Sequence, residues 1–419
     1  MPAADQGSSV QVVLVGLEVR KSVRIVLLLI QVPGALMVLY LDILSAAALW
    51  WRQQTSVAAP RTRFAVLVPA HDEQVLLPRL MESLAALDYP SNLFDVHVVA
   101  DNCTDRTAEV AARSGAIVHE RQDTTQMGKG FALRWLLQRI RQAEKTYDAF
   151  VVIDADSVVA PNFLDTMNRH LVQGATVIQS YYGVYNREES PAAALRYTAL
   201  VLFNDLRPRG RDVLGLSAGL RGNGMCFGSD VLERFGWEAF TLAEDVEFHF
   251  QLVEAGIKVK YAADTSVLGE MPTTLREAQT QNVRWERGRI QMLRRFGPRL
   301  LRQGMRQRDP AMVDAVAEQL VPPLSVLSAA GALCLLGATI LRVPGPRRLA
   351  AAVVAGQAAY VLTGLALSRS PLRFYLALLR APTYIAWKVW IYARAAARPR
   401  DSTWIRTSRP LRGGGRPPP

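Results

Sequence analysis

The stretch Ala149-Phe150-Val151-Val152-Ile153-Asp154-Ala155-Asp156 joins five apolar residues to two carboxylates set one residue apart. A short aromatic and β-branched run of this kind reads as a buried strand, so the two acids stand where that strand meets solvent. Carboxylate oxygens suit hard ions such as Mg2+ or Mn2+, which keep coordination positions open for phosphate oxygens. The same spelling suits an Asx turn in which Asp156 caps the chain that follows. The neighbouring segments decide between the two.

Upstream, Phe64 to Val68 reads as a strand ending in Pro69-Ala70-His71-Asp72-Glu73, with a helix to Leu87 after it. Phe94 to Ala100 is the next strand, ending in Asp101-Asn102-Cys103-Thr104-Asp105, with a helix to Gly115. Ala116 to His119 follows as a third strand and Gly130 to Lys145 as a helix. Strands alternating with helical patterns predict an α/β domain over residues 60–310, a Rossmann-like, mostly parallel sheet sandwiched by helices. Such sheets bind ligands beyond the carboxyl ends of their strands, and the strands ending near Ala70, Ala100 and Ile153 all run into acids.

Asp101 would therefore face a ligand, where a carboxylate accepts hydrogen bonds from a base N–H or a ribose hydroxyl, while Asp105 reads as a helix cap. His71 and Glu73 lie on the adjoining loop. Gly128-Lys129-Gly130 opens a helix; it is either a surface turn or a lysine brought close to a phosphate, and it lacks the spacing of a Walker loop. Glu244-Asp245 leads into a helix from Val246 to Ala255, where an acid pair can compensate the helix dipole or act as a general base. Gln281, Arg284 and Trp285 share one face of a further helix at i, i+3 and i+4. There an arginine can hold a diphosphate and a tryptophan can wall a sugar ring. The arginines of 274–300 also fit an amphipathic interfacial helix.

Composition sets the surroundings. Half of the 419 residues are hydrophobic (50%), and the apolar stretches are long. After a short N-terminal segment, 1–22, residues 23–51 form an expected transmembrane anchor. At about 1.5 Å per residue it exceeds a hydrocarbon core of roughly 30 Å. Residues 321–367 form an expected hairpin of two spans, joined by a turn from Arg342 to Arg348. Segment 372–393 mixes Tyr and Trp with Arg373, Arg380 and Lys388 and reads as interfacial or as a third C-terminal membrane helix. The basic tail 394–419 carries seven arginines and reads as cytoplasmic and partly disordered. The net charge of +12 sits beside apolar segments, which favours anionic membrane lipid over nucleic acid. Cys103, Cys226 and Cys334 match neither a zinc pattern nor a disulfide framework.

The succession Asp101, Asp154-Ala155-Asp156, Glu244-Asp245 and Gln281-Asn282-Val283-Arg284-Trp285, with 35 residues between Asp245 and Gln281, resembles the membrane-bound family 2 glycosyltransferases. That group includes cellulose, chitin and hyaluronan synthases and their smaller relatives. The resemblance implies a GT-A fold, a nucleotide-activated donor, usually UDP-linked, inversion at the anomeric centre, and Mg2+ or Mn2+ as cofactor. It implies that Ala70, His71, Glu73, Asp101 and Lys129 surround the donor nucleotide. Asp156, helped by Asp154, would hold the metal. Asp245, beside Glu244, would be the base, and Gln281, Arg284 and Trp285 would close over the diphosphate and the acceptor end.

The acceptor-side segment Arg221-Gly222-Asn223-Gly224-Met225-Cys226-Phe227-Gly228 departs from the Phe-Phe-Cys-Gly-Thr stretch of cellulose synthases, with Asn223, Met225 and Cys226 as its candidate contacts. Three spans are few to enclose a polymer channel. The expectation is therefore an integral-membrane enzyme with a cytoplasmic catalytic domain, moving a sugar to a lipid-linked or glycan acceptor. A processive synthase working with other polysaccharide-assembly proteins stays open. A nucleotidyltransferase would need a glycine-rich loop where Pro69-Ala70-His71-Asp72-Glu73 stands. An inactive scaffold would not need its carboxylates.

Overall fold

The structure, a computed structural model, describes residues 6–53, 58–143, 145–271 and 275–397. Its strands are β1 (Phe64–Ala70), β2 (Phe94–Asp101), β3 (Ile117–Arg121), β4 (Ala149–Val152), β5 (Ser157–Val159), β6 (Val177–Val184), β7 (Met225–Gly228) and β8 (Lys260–Gly269). They form one 8-stranded sheet in the order β3-β2-β1-β4-β7-β6-β8-β5. The half from β3 to β4 is parallel throughout. The other half is mixed, because β7 runs against both β4 and β6 while β6 and β8 are parallel. Sequence pattern predicts the parallel half and not the reversal at β7, since a strand of four residues carries no directional signal.

β1 shows why the first half forms. Phe64, Val66 and Val68 face one core cluster and Ala65 and Leu67 the other, all of them fully buried. A strand covered on both faces must be apolar without alternation, as this one is. Each such side chain contributes roughly 1.5–3 kcal/mol. Pairing Ala70 with Ala100 and Leu67 with Val152 brings the ends of β1, β2 and β4 to one edge of the sheet. The chain reverses its strand order there, between β1 and β4, which opens the crevice where ligands bind in doubly wound sheets.

The anchor expected over 23–51 is part of a longer helix, Gln6–Ala48, of 43 residues, so residues 6–22 continue it and form no separate segment. At about 1.5 Å per residue such a helix greatly exceeds a bilayer core. Its apolar part is Lys21–Ala48, and Pro344–Leu367 is the other helix long and apolar enough to cross a membrane among the described residues. The first arm of the expected hairpin is shorter than its apolar run: the helix Leu324–Ile340 has 17 residues and follows Pro310–Leu320 at a bend of 68°. Pro322 and Pro323 at the break account for it, since neither offers an N–H to continue a helix. The turn after it is also shorter than expected, because Pro344 opens the next helix as its first residue. The three apolar helices pack on one another, with Leu29, Leu36, Leu333 and Ile340 exposed on the outside. Segment 372–393 divides into Leu372–Ala377, a 3-10 turn and Ala381–Ala397. Residues 398–419 of the basic tail lie outside the described residues.

Helix Leu275–Gln307 contains the segment 274–300 expected as an amphipathic interfacial helix, from residue 275 on. Met292 and Leu300 are buried against Phe250, Met312 and Val316, so one apolar face is turned to protein. Ile290, Leu301 and Met305 remain exposed.

Candidate active site

Two cavities meet beyond the crevice. The smaller, about 220 Å3, is walled by Ala70, His71, Glu73, Asp101 and Asn102 on one side and by Asp154, Asp156 and Arg284 on the other. The larger, about 460 Å3, holds Glu244, Asp245, Gln281 and Trp285 and runs on to Tyr360 and the break at Pro322-Pro323. Lys129, Asp154, Asp156 and Arg284 line both.

The small cavity is built by strand ends. Asp72 and Asn102, the turning residues after β1 and β2, adopt positive φ of 53° and 50°, which Asp and Asn tolerate better than most. His71 Nδ1–H donates to the Asp101 carbonyl at 2.7 Å, tying the two loops. Asp101 Oδ1 accepts from Arg121 at 2.5 Å and from Asn102 at 3.2 Å. Burial pushes the Asp101 carboxyl above the ordinary range even with Arg121 beside it. Asp105 stands one residue before the N-cap position, which is Arg106, and its Oδ1 accepts from the Thr107 N–H at 2.9 Å.

At the junction, Lys129 Nζ lies 2.5 Å from Asp154 Oδ1 and 4.0 Å from Glu244 Oε1, and donates to the Gly222 carbonyl. Burial opposes its charge, but Asp154 and Glu244 outweigh that and hold its pKa above the usual lysine value. Gly130 sets this approach: a Cβ there would stand 2.1 Å from the Ala239 carbonyl oxygen, so the helix can close on the 239–241 loop only with glycine. Burial, and after it the neighbouring Asp245, lifts the Glu244 carboxyl to about 7 despite Lys129. Asp245 is also raised by burial, against its bond from the Val246 N–H at 2.9 Å and the nearby Lys129. Arg284 brings a buried Nε with no hydrogen-bond partner.

Asp154 and Asp156 offer two carboxylates at a cavity wall, part of an oxygen shell. This donor set fits a hard cation whose remaining positions come from a phosphate-bearing ligand and water. Among the described residues, Asp72, Cys103 and Asp105 also lie close enough to share an ion. Asp72, however, accepts from the Thr104 and Asp105 N–H groups, so these acids close the loop.

The acceptor-side segment needs correction. Met225 and Cys226 are fully buried, on opposite faces of β7 and in different core clusters, because neighbours along a strand point to opposite sides. Asn223 is buried as well: its Oδ1 accepts from the Asp154 N–H at 3.1 Å and its Nδ2 donates to Ser157 Oγ at 2.8 Å. It braces the acid pair and lines neither cavity. The cavity contacts from this segment are Arg221 and Gly222. Gly224, at φ 66°, has no room for a Cβ, which would stand 2.2 Å from Ser180 Oγ.

Sequence reading missed a buried ionic cluster under this wall. Arg211 meets Asp314 at 3.0 Å and pairs with Glu318, and Arg221 meets Glu318 at 2.9 Å. Tyr40 Oη donates to Asp314 at 2.8 Å. The sequence signal was available in Glu318, an acid two residues before an apolar span, where an unpaired charge would be costly. Between Pro191–Val201 and Arg207–Val213 the helix widens into a π turn at Leu202–Leu206, a distortion frequent at functional sites.

A family model described as "Glycosyltransferase like family 2" matches residues 60–288, more than half of the chain. "Probable glycosyltransferase YdaM" of Bacillus subtilis is 24% identical over 246 residues, 56% of this chain and 57% of that protein. A beta-monoglucosyldiacylglycerol synthase of Nostoc sp. is 27% identical over 237 residues, 54% of this chain and 48% of the relative. The chain spans about half the length of the curated relatives it matches. Among solved structures, a mannosyltransferase from Pyrobaculum calidifontis, in complex with GDP-Man and Mn2+, aligns with a TM-score of 0.52 at 17% identity, covering 90% of this chain and 100% of that one. That likeness shows the fold, a GT-A-like α/β sheet with surrounding helices. The matched segment contains every strand and both acid pairs, and on that match the chain belongs to glycosyltransferase family 2.

Proposed function

We propose that this protein transfers a sugar, with inversion, from a nucleotide-sugar donor, UDP-linked by resemblance, to a lipid-linked or glycan acceptor at a membrane face. The observation that carries the reading is the meeting of two cavities at Lys129, Asp154, Asp156 and Arg284, with Glu244 and Asp245 on the far wall. The nucleoside occupies the small cavity, where Asp101 Oδ2 is left to accept a donor N–H or hydroxyl. Glu73, His71 and Ala70 complete its wall. Asp156, supported by Asp154, would hold Mg2+ or Mn2+, which would supply positive charge for a departing diphosphate. The solved mannosyltransferase with GDP-Man and Mn2+ supports this use of a divalent ion.

Arg284, which lines both cavities, offers its guanidinium to the same leaving group, where a charge-assisted bond strengthens as negative charge develops. Gln281 stands on the same wall. On the opposite face Asp245 takes the proton of the acceptor hydroxyl as that oxygen attacks the anomeric carbon and the bond to the diphosphate breaks. Trp285, 37% exposed, offers a flat surface to the acceptor. The apolar helices beside the larger cavity support a membrane location, as does the similarity to a glycolipid synthase.

Purified membranes containing the protein, given radiolabelled UDP- and GDP-sugars in turn, should incorporate label from one of them in a divalent-ion-dependent way. Sizing the product separates a single addition from a polymer. Absence of incorporation from every nucleotide sugar, alongside intact nucleotide binding, would favour an inactive scaffold.

A further inference from the structure

The larger cavity carries a second charged feature on its membrane side. Arg207 follows the π turn and is only 6% exposed. Its Nε donates to Tyr360 Oη at 2.8 Å, and Tyr360 Oη in turn bonds the Leu202 carbonyl at 3.2 Å. Arg209 is neutralised by Asp205 at 2.6 Å, and Arg211 and Arg221 share Asp314 and Glu318. Arg207 forms no ion pair among the described residues. Arg207 faces Glu318 only at longer range, and Glu318 is already taken by Arg211 and Arg221. An arginine held on a cavity lining with no carboxylate at ion-pair distance can take an anion that enters the cavity.

We propose that Arg207 is the anion subsite for the acceptor, and that the acceptor is an amphiphile whose phosphate ester Arg207 holds while a free hydroxyl reaches Asp245. The inference rests on the glycosyl-transfer reading above and names its acceptor class. Beyond Arg207 the cavity is walled by Leu202, Phe203, Val321 and Leu324 and reaches the bend at Pro322-Pro323, so an apolar tail can continue from the phosphate toward the membrane helices. A guanidinium fork recognises a phosphate ester bidentately, and the Tyr360 bond fixes its plane. The donor diphosphate is served by a different arginine on a different helix, Arg284. The reaction is unchanged: the acceptor oxygen replaces the diphosphate at the anomeric carbon and its proton passes to Asp245.

The full chain in dodecyl maltoside micelles, which contain no phosphate ester, can be tested with phosphatidylglycerol, with a diacylglycerol of the same acyl chains, and with free glycerol 3-phosphate. Phosphatidylglycerol should raise the thermal midpoint of the wild type and diacylglycerol should not; Arg207→Gln should abolish the shift. With the active nucleotide sugar, Arg207→Gln should raise KM for phosphatidylglycerol at least about tenfold, while kcat and nucleotide affinity change little. Arg207→Lys, which keeps the charge and loses the fork, should fall between. Diacylglycerol used as well as phosphatidylglycerol, with a KM indifferent to Arg207→Gln, overturns the proposal. Glycerol 3-phosphate used equally well overturns the lipid part. The midpoint shift needs no turnover, so an enzyme that binds the lipid without transferring a sugar refutes the transfer reading and leaves the subsite standing.

Discussion

The two walls of the site are held by different means. On the donor wall His71, Glu73, Asp101, Asp154 and Asp156 stand at or just beyond the ends of parallel strands and are braced by close partners, as with His71 on the Asp101 carbonyl and Asn223 on the Asp154 N–H. On the acceptor wall, Arg207, Arg211 and Arg221 are held by Tyr360, Asp314, Glu318 and Tyr40, from helices that lie far apart in sequence. The acids of the donor wall follow from the sheet, with Lys129 and Arg284 added from helices. The acceptor wall exists only when the apolar helices are docked on the domain, so the two should respond separately to mutation.

The largest effect should come from Asp245→Asn, which sits on the acceptor wall yet touches no nucleotide subsite. Loss of a general base costs typically 10²–10⁴ in rate, and the variant should lose about that much transfer. Nucleotide affinity by titration should stay within about two-fold, because Asp245 lines the larger cavity and not the one assigned to the nucleoside. Unchanged turnover would remove Asp245 from the mechanism.

Glu318→Ala strikes the ionic cluster and leaves two buried guanidinium groups without their shared carboxylate. Breaking a buried pair in this way costs roughly 3–5 kcal/mol. Denaturant unfolding in detergent should show that loss, with the acceptor wall opening first. If the walls are independent, nucleotide binding survives in the fraction that remains folded; its loss in step with transfer would make the two walls one unit.

Asp156→Asn tests the donor wall alone. Even outer-shell partners cost about 10–100-fold in metal affinity when removed, and a direct ligand should cost no less. The observable is nucleotide affinity with and without Mn2+: the variant should bind nucleotide as the metal-free wild type does. An Mn2+ enhancement of unchanged size would place the ion elsewhere.

The same division explains what the sequence discloses. Fold class and donor wall are legible because their signals are local: an apolar run, then an acid, repeated at Asp101 and Asp154. Glu244-Asp245 and Gln281 to Trp285 are legible as ordered spacing. Met225 and Cys226 misled because a strand of four residues does not announce which face it buries or that it runs antiparallel. Arg207 and Arg211 are silent in sequence, since an arginine on a helix is ordinarily solvated. Only packing against Tyr360 and Glu318 shows that these are not.

The smallest effect is a shift in pH dependence, and it tests whether Lys129 couples the walls. Glu244 is held up to about 7, and its ionisation adds a negative charge beside Asp245. A carboxyl raised on folding contributes stability that is complete below its unfolded value, here 4.5, and is lost as pH rises toward about 7. Glu244→Gln should therefore flatten the fall of stability across that window. Lys129 answers to both Asp154 and Glu244, so its remaining pairing with Asp154 should tighten and donor affinity should hold or rise slightly. A fall in donor affinity with an unmoved pH profile would mean that Glu244 serves the donor wall, and that the boundary between the walls runs through the acid pair.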